Sequence, residues 1–152
     1  MLFRTHFSAA ILTALWIEPA GLSSQHRVIY FFLVVLGALL PDLDHPNSTI
    51  GRVFPATSWI TNRLFKHRGI VHSIYIPPIL WWIAVRYVSS FAGLAILIGM
   101  ISHLACDCLT KEGIRFFYPL STWHLKGFVK TGGLIEKILF FLLIVGIGWK
   151  IF

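Results

Sequence analysis

The sequence predicts an all-α, polytopic membrane protein of about five short transmembrane or membrane-embedded helices, with a metal site at their cytoplasmic ends. Three observations predict it. Apolar residues make up 57% of the 152 residues and charged residues only 12%, with a mean hydropathy of +0.77. A soluble domain carries about 25% charge, so this chain cannot clothe a water-facing surface of its own. The apolar residues fall in five stretches free of Asp, Glu, Lys and Arg. Finally, most of the His and Asp residues gather at one set of stretch ends. Disorder is excluded by an aromatic content of 15%, because disordered chains are aromatic-poor and charge-rich. The length is that of one domain, 1–152.

The five stretches are Thr5–Ile17, Val28–Pro41, Gly69–Val85, Tyr87–Cys106 and Ile138–Trp149. A straight crossing of the bilayer core takes about 20 residues, with a range of about 17–25. The fourth stretch reaches this unaided. The second spans if Ser23–Arg27 joins it, the third with Tyr87 and Val88, and the fifth with Gly133–Lys137. The first is the shortest fit. Arg4 followed by an apolar run also has the outline of a signal peptide. Against cleavage stand Glu18, Pro19 and the bulky Trp16 and Ile17, where small residues are wanted.

Placing the N-terminus in the cytoplasm puts Arg4, Arg52, Arg63, Lys66, Arg68, Lys111, Arg115, Lys126, Lys130 and Lys137 inside. Arg27, Arg86 and Lys150 are left outside. Basic residues collect in cytoplasmic loops, so this bias of ten to three sets the orientation. Trp16, Trp81, Trp82 and Trp149 then lie toward outer helix ends, as an aromatic belt. The same rule explains the net charge of +7 without invoking nucleic acid. Cys106 and Cys108 are too close for an ordinary disulfide and read as packing residues. The long connections Asp42–Arg68 and Asp107–Gly132 are both cytoplasmic in this arrangement, and connections this long are usually functional.

His6, Asp42, Asp44, His45, His67, His72, His103 and Asp107 all fall on the inner side. Three constellations carry them. In Pro41-Asp42-Leu43-Asp44-His45-Pro46 the prolines favour a rigid, non-helical exit from the second helix. Residues two apart in an extended backbone share a side, so Asp42 and Asp44 converge and need a cation between them. In His67-Arg68-Gly69-Ile70-Val71-His72-Ser73, His67 precedes the third helix and His72 lies in its first turn. His103 and Asp107, at i and i+4 near the end of the strongest helix, share one helical face. Each has a plainer reading: a polar turn, interfacial basic residues, or a His–Asp hydrogen bond locking two helices. Ionisable groups at membrane depth are costly and persist mainly where they pair or act. Eight of them on one side, in a chain with six acids in all, suit a metal site better than separate capping duties. Lys130-Thr131-Gly132-Gly133 with Glu136 reads as an anion-holding nest or as a helix entry capped by Thr131.

These residues resemble the YdjM-like family of bacterial membrane-bound, metal-dependent hydrolases. The resemblance rests on His6, Pro41-Asp42-Leu43-Asp44-His45, His67-Arg68-Gly69-x-x-His72-Ser73, His103-x-x-x-Asp107 and Lys130-Thr131-Gly132-Gly133 with Glu136, in family order over most of the chain. Val71 stands where that family commonly has Thr, so a hydroxyl beside His72 is missing. The ligand pattern is also similar to that of zinc-dependent phospholipase C and related single-strand nucleases, an analogy at the level of ligands.

The expectation is a hydrolase of the bacterial inner membrane, multi-pass, with its site on the cytoplasmic side. His6, Asp42, Asp44, His67, His72, His103 and Asp107 are the expected ligands of one to three divalent ions, zinc first and manganese or magnesium as alternatives. Asp44 or His45 would accept the proton of the attacking water, and Arg68 and Lys130 would steady a phosphate or a developing oxyanion. Membrane lipids are the expected partners and a lipid-like phosphoester or ester the expected substrate. No nucleic acid is expected, and no oligomeric state follows from the sequence. Two other readings use the same residues: a metal or proton transporter, and a basic membrane adaptor without catalysis.

Overall fold

The computed structural model describes residues 1–44 and 70–152. The described residues form five α-helices: α1 Phe3–Ile17, α2 Ser24–Leu39, α3 Ile76–Tyr87, α4 Ser90–Cys108 and α5 Leu134–Ile151. Short 3-10 turns cover Leu40–Asp44 and Ile70–His72. No strand occurs among the described residues. The α4–α5 connection is pinned only by isolated bridges, Thr110 with Val129 and Ile114 with Leu125.

The ends have local causes. Ser23 and Ser89 cap α2 and α4, accepting hydrogen bonds from the His26 and Ala92 N–H groups. Pro77 and Pro78 sit in the first turn of α3, where a missing N–H costs nothing. The third helix therefore begins at Ile76, later than Gly69, and His72 lies in the 3-10 turn before it rather than in its first turn. The exit from α2 is a tight helical turn, not the extended segment that the flanking prolines suggested. Pro41 is compatible with it because it stands at the start of the new turn, where its fixed φ fits and its missing N–H costs little, although Leu40 before it is held in the αR region that proline disfavours.

Two helical segments are long and apolar enough to cross a membrane. They are Ser24–Asp42, with mean hydropathy 1.4, and Ser90–Cys108, with mean hydropathy 1.8. The 15 residues of α1 and 12 of α3 reach only about 22 and 18 Å at about 1.5 Å per residue. α5 has 18 residues but carries Glu136, Lys137 and Lys150. Among the described residues, five helices are present as expected, and two of them meet the length and composition of a crossing.

α4 is the axis of the bundle. α1, α2 and α3 all pack against it, and α5 packs on α1. Its buried face, with Ala92, Ala95, Gly99, Ser102, His103, Cys106 and Asp107, is a stripe of mostly small residues at helical spacing. Ala10, Ala14, Tyr30, Val34, Ala38 and Ile98 complete the core. Small residues let backbones approach closely. A Cβ on Gly99 would overlap the Val34 carbonyl and lie 2.7 Å from the Ala38 nitrogen, and one on Gly37 would overlap the Ile96 carbonyl. The molecule is inside-out: α5 buries Glu136 alone, while Leu134, Ile138, Phe141, Leu142, Val145 and Trp149 are exposed. Apolar surface on this scale marks a membrane or protein contact.

Gly→Ala within a helix gains about 0.8–1 kcal/mol in propensity. At Gly99 overpacking against α2, costing about 1–3 kcal/mol, should win. Gly148, with nothing within 4 Å of its added Cβ, should keep the gain. Thermal unfolding in detergent should show a lower Tm for Gly99→Ala and an equal or higher one for Gly148→Ala.

Candidate metal centre

The alternation of helices brings one end of every inner element together. The start of α1 supplies His6, the turn after α2 supplies Asp42, the turn before α3 supplies His72, and the last turns of α4 supply His103 and Asp107. Two triads result, each with ligand atoms within 4.8 Å of one another: His6, His103 and Asp107, and Asp42, His72 and His103. His6, His72, His103 and Asp107 are buried, and Asp42 is partly exposed.

Asp107 lies between the imidazoles. Its Oδ1 is 3.3 Å from His6 Nε2 and accepts a 2.9 Å hydrogen bond from the Met1 α-amino group. Its Oδ2 is 3.6 Å from both His72 Nε2 and His103 Nε2. His103 Nε2 is also 3.9 Å from Asp42 Oδ1. The His6 and His103 rings stack at 4.0 Å, and His72 meets His103 edge-on at 5.4 Å.

The ring of His103 is held in one tautomer. Its Nδ1 is 2.7 Å from the Ala38 carbonyl oxygen. Only an N–H can bond a carbonyl, so Nδ1 donates and the neutral ring keeps its lone pair on Nε2. That Nε2 is buried with no hydrogen-bond partner among the described residues, as is Nδ1 of His6. A lone pair directed at two carboxylates is repulsive unless a proton or a metal ion sits between them. A second hydrogen bond that orients a ligating imidazole is also the usual arrangement in metal sites. Donors about 2.0–2.1 Å from a tetrahedral ion lie about 3.3–3.4 Å apart, close to the 3.3–3.9 Å spacings here. The donor set fits a divalent ion.

Five of the seven expected ligands are brought together in this way. Asp44 closes the 3-10 turn, with its side chain outside the described part of the structure. His45, His67 and Arg68 lie outside the described residues. Lys130 is exposed, on the segment that crosses the end of α4 through the Lys111 N–H to Val129 and Val129 N–H to Leu109 bonds. Cys106 and Cys108 are free and belong to neither triad. His26 bonds Ser23 Oγ, and His124 Nε2 accepts from Arg115 Nε.

Sequence reasoning missed two participants. The Ala38 carbonyl has no signature, being backbone. For Glu136 the sequence leaves open an anion-holding nest or a helix entry with Thr131 as cap. In the structure Gly133 is the N-cap, and the Thr131 hydroxyl donates to Glu112. Glu136 instead accepts hydrogen bonds from Leu2 N–H, Thr5 Oγ1–H and Gly132 N–H.

The chain is 37% identical over 107 residues to the uncharacterized protein YvsG of Bacillus subtilis (strain 168), covering 68% of this chain and 66% of that protein. It is 29% identical over 102 residues to the inner membrane protein YdjM of Escherichia coli (strain K12) and to that of Shigella flexneri. Those matches cover 60% of this chain and 50% of each relative, so the chain spans about half to two thirds of the relatives' lengths. No solved structure matches it. The family model for the YdjM inner membrane protein matches residues 1–151, and the chain belongs to that family.

Proposed function

We propose that this protein is a membrane-embedded, divalent-metal-dependent hydrolase of the bacterial inner membrane. Its site would face the cytoplasm and cleave a phosphoester, or secondarily a carboxylic ester, of a lipid-like substrate. The observation that carries the reading is the buried, unpartnered Nε2 of His103, fixed by Ala38 and aimed at Asp107 and Asp42. Inner-membrane residence is supported by the names of the Escherichia coli and Shigella flexneri relatives, by the two long apolar helices and by the inside-out distribution of side chains. The orientation rests on the ten-to-three distribution of basic residues, and the shorter helices would be embedded without each crossing alone.

His6, Asp42, His72, His103 and Asp107 would hold the ion. Three imidazoles with carboxylates favour zinc over magnesium, which prefers an all-oxygen shell. Because Nδ1 of His103 is committed to Ala38, the ring brings one lone pair, and the two triads share one ion through it. When bound, such an ion acidifies water toward neutral pH and polarises a phosphoryl or carbonyl oxygen. The chain's own part is to fix the donors on four rigid elements. Partly exposed Asp42 leaves an open side toward the membrane surface. Lys130, exposed beside the end of α4, would attract a headgroup phosphate. Asp44 or His45 as proton acceptor and Arg68 as anion holder keep the roles read from sequence.

Transport would require polar groups through the midplane. The described core is Ala10, Ala14, Tyr30, Val34, Ala38, Ala95 and Ile98, in which the Tyr30 hydroxyl is the polar group, and at the far end Glu18 is paired with Arg27. An adaptor would leave the buried imidazoles unexplained.

Detergent-purified protein loaded with zinc and dialysed should retain about one equivalent per His103 lone pair, and His103→Ala and Asp107→Ala should lose it. Retention by neither wild type nor variants would remove the metal reading. With vesicles of phosphatidylglycerol and phosphatidylethanolamine, wild type should release phosphoester products by mass spectrometry and Asp42→Ala should not. Metal uptake with no turnover of phosphoester or ester would remove the hydrolase. Chelation should also lower the wild-type Tm, because an ion at 100 times its Kd adds about 2.7 kcal/mol. The Tm of His103→Ala should not respond to chelator.

A further inference from the structure

The most buried acid outside the metal centre is Glu136, 1% exposed at the head of α5. All three of its hydrogen bonds come from main-chain or hydroxyl donors. Leu2 N–H (2.6 Å) and Thr5 Oγ1–H (2.9 Å) share Oε1, and Gly132 N–H (2.6 Å) takes Oε2. α1 begins without a cap of its own: Leu2 offers no side-chain acceptor and the first turn has no acid. An uncapped helix start leaves N–H groups orphaned, and at low dielectric each is costly. A carboxylate from α5, more than 130 positions away in sequence, meets this need. It fixes the first turn of α1 in height and rotation just ahead of His6. Thr5 precedes His6, whose ring stacks on His103 and whose Nε2 faces Asp107.

We infer that Glu136 is the positioning residue for His6: by capping α1 across the bundle it holds the His6 half of the metal centre in register with α4. It touches no ligand atom itself. The inference rests on the metal reading above, and it divides the donor set. His6 arrives on a helix clamped by α5, whereas His103 is on α4, Asp42 on a turn packed against α4, and His72 on a turn packed against α3 and the Asp42 turn.

The test is cobalt(II) binding, followed by its visible absorption, in Glu136→Ala, His6→Ala, His72→Ala and the two double variants. Loss of an orienting partner typically weakens a metal site about 10–100-fold. Glu136→Ala should lose this much and acquire the spectrum of His6→Ala. The His6→Ala/Glu136→Ala double variant should bind no more weakly than His6→Ala, because the pair acts through one contact. In the His72→Ala background, Glu136→Ala should cost its full factor. Plain removal of a negative charge near the cation would persist when His6 is absent, so additivity with His6→Ala overturns the inference. So does unchanged affinity. Glu136→Gln, which keeps one carbonyl oxygen for Leu2 and Thr5 but offers no acceptor to Gly132, should fall between wild type and Ala. It also serves if the alanine variant does not fold. Amide exchange at residues 2–6 in metal-free protein should rise in Glu136→Ala. If wild type binds no cobalt, the metal reading fails, and unchanged exchange there would overturn the clamp as well.

Discussion

The close approach of α2 to α4 is the constraint from which the site follows. Gly37 and Gly99 let the two backbones touch, and that contact sets the Ala38 carbonyl against Nδ1 of His103. The consequence is chemical as well as geometric. A backbone carbonyl cannot be protonated or turned away, so the tautomer of a buried imidazole is decided by helix packing. With larger residues along the stripe, the ring would be free to turn and its lone pair would have no defined direction.

The same packing explains how polar side chains survive inside. Among the buried residues are Thr5, Ser8, His72, Ser102, Thr110 and Glu136. Most of these have simple local or cross-helix partners: Ser102 donates to Gly99 and Thr110 to Asp107, each within one turn. The imidazoles differ. His6 and His103 each keep a buried nitrogen without a hydrogen-bond donor or acceptor among the described residues. An unsatisfied buried polar atom costs about 1–3 kcal/mol. The Tyr30 hydroxyl also lacks a partner among the described residues, but the two imidazole nitrogens lie in one cluster beside an acid. A cation supplies what the protein donors do not.

Much of this was legible because it is periodic. The His103–Asp107 pair follows from 3.6 residues per turn, and the gathering of His and Asp on one side follows from alternating helices of similar length. What was not legible depends on facts that periodicity does not carry. The prolines around Asp42 mark a break, but not whether the break is extended or 3-10, since the fixed φ of Pro41 suits both. The start of α3 was placed too early because Gly69–Ser73 is apolar enough to join the run. Pro77 and Pro78, which belong in a first turn, were the better signal. The cross-bundle role of Glu136 was hidden because two of its three donors, Leu2 and Thr5, lie at the other end of the chain. Absence of charge marks an apolar helix but not whether it crosses or is only embedded, and α1 and α3 are shorter than a straight crossing.

Position along the membrane normal separates catalysis from passage. A conduit needs ligands spaced through the hydrophobic thickness, each weak enough to release its ion. Here five donors crowd one end, on four elements, while the rest of the described core is alanine, valine, isoleucine and Tyr30. Three buried imidazoles around one carboxylate would suit gripping an ion better than passing it. On the proposed reading, the partly exposed Asp42 would be the side from which a lipid ester is presented. An ion held tightly at the bilayer surface, with one side open, is suited to polarising a bond presented to it from the lipid.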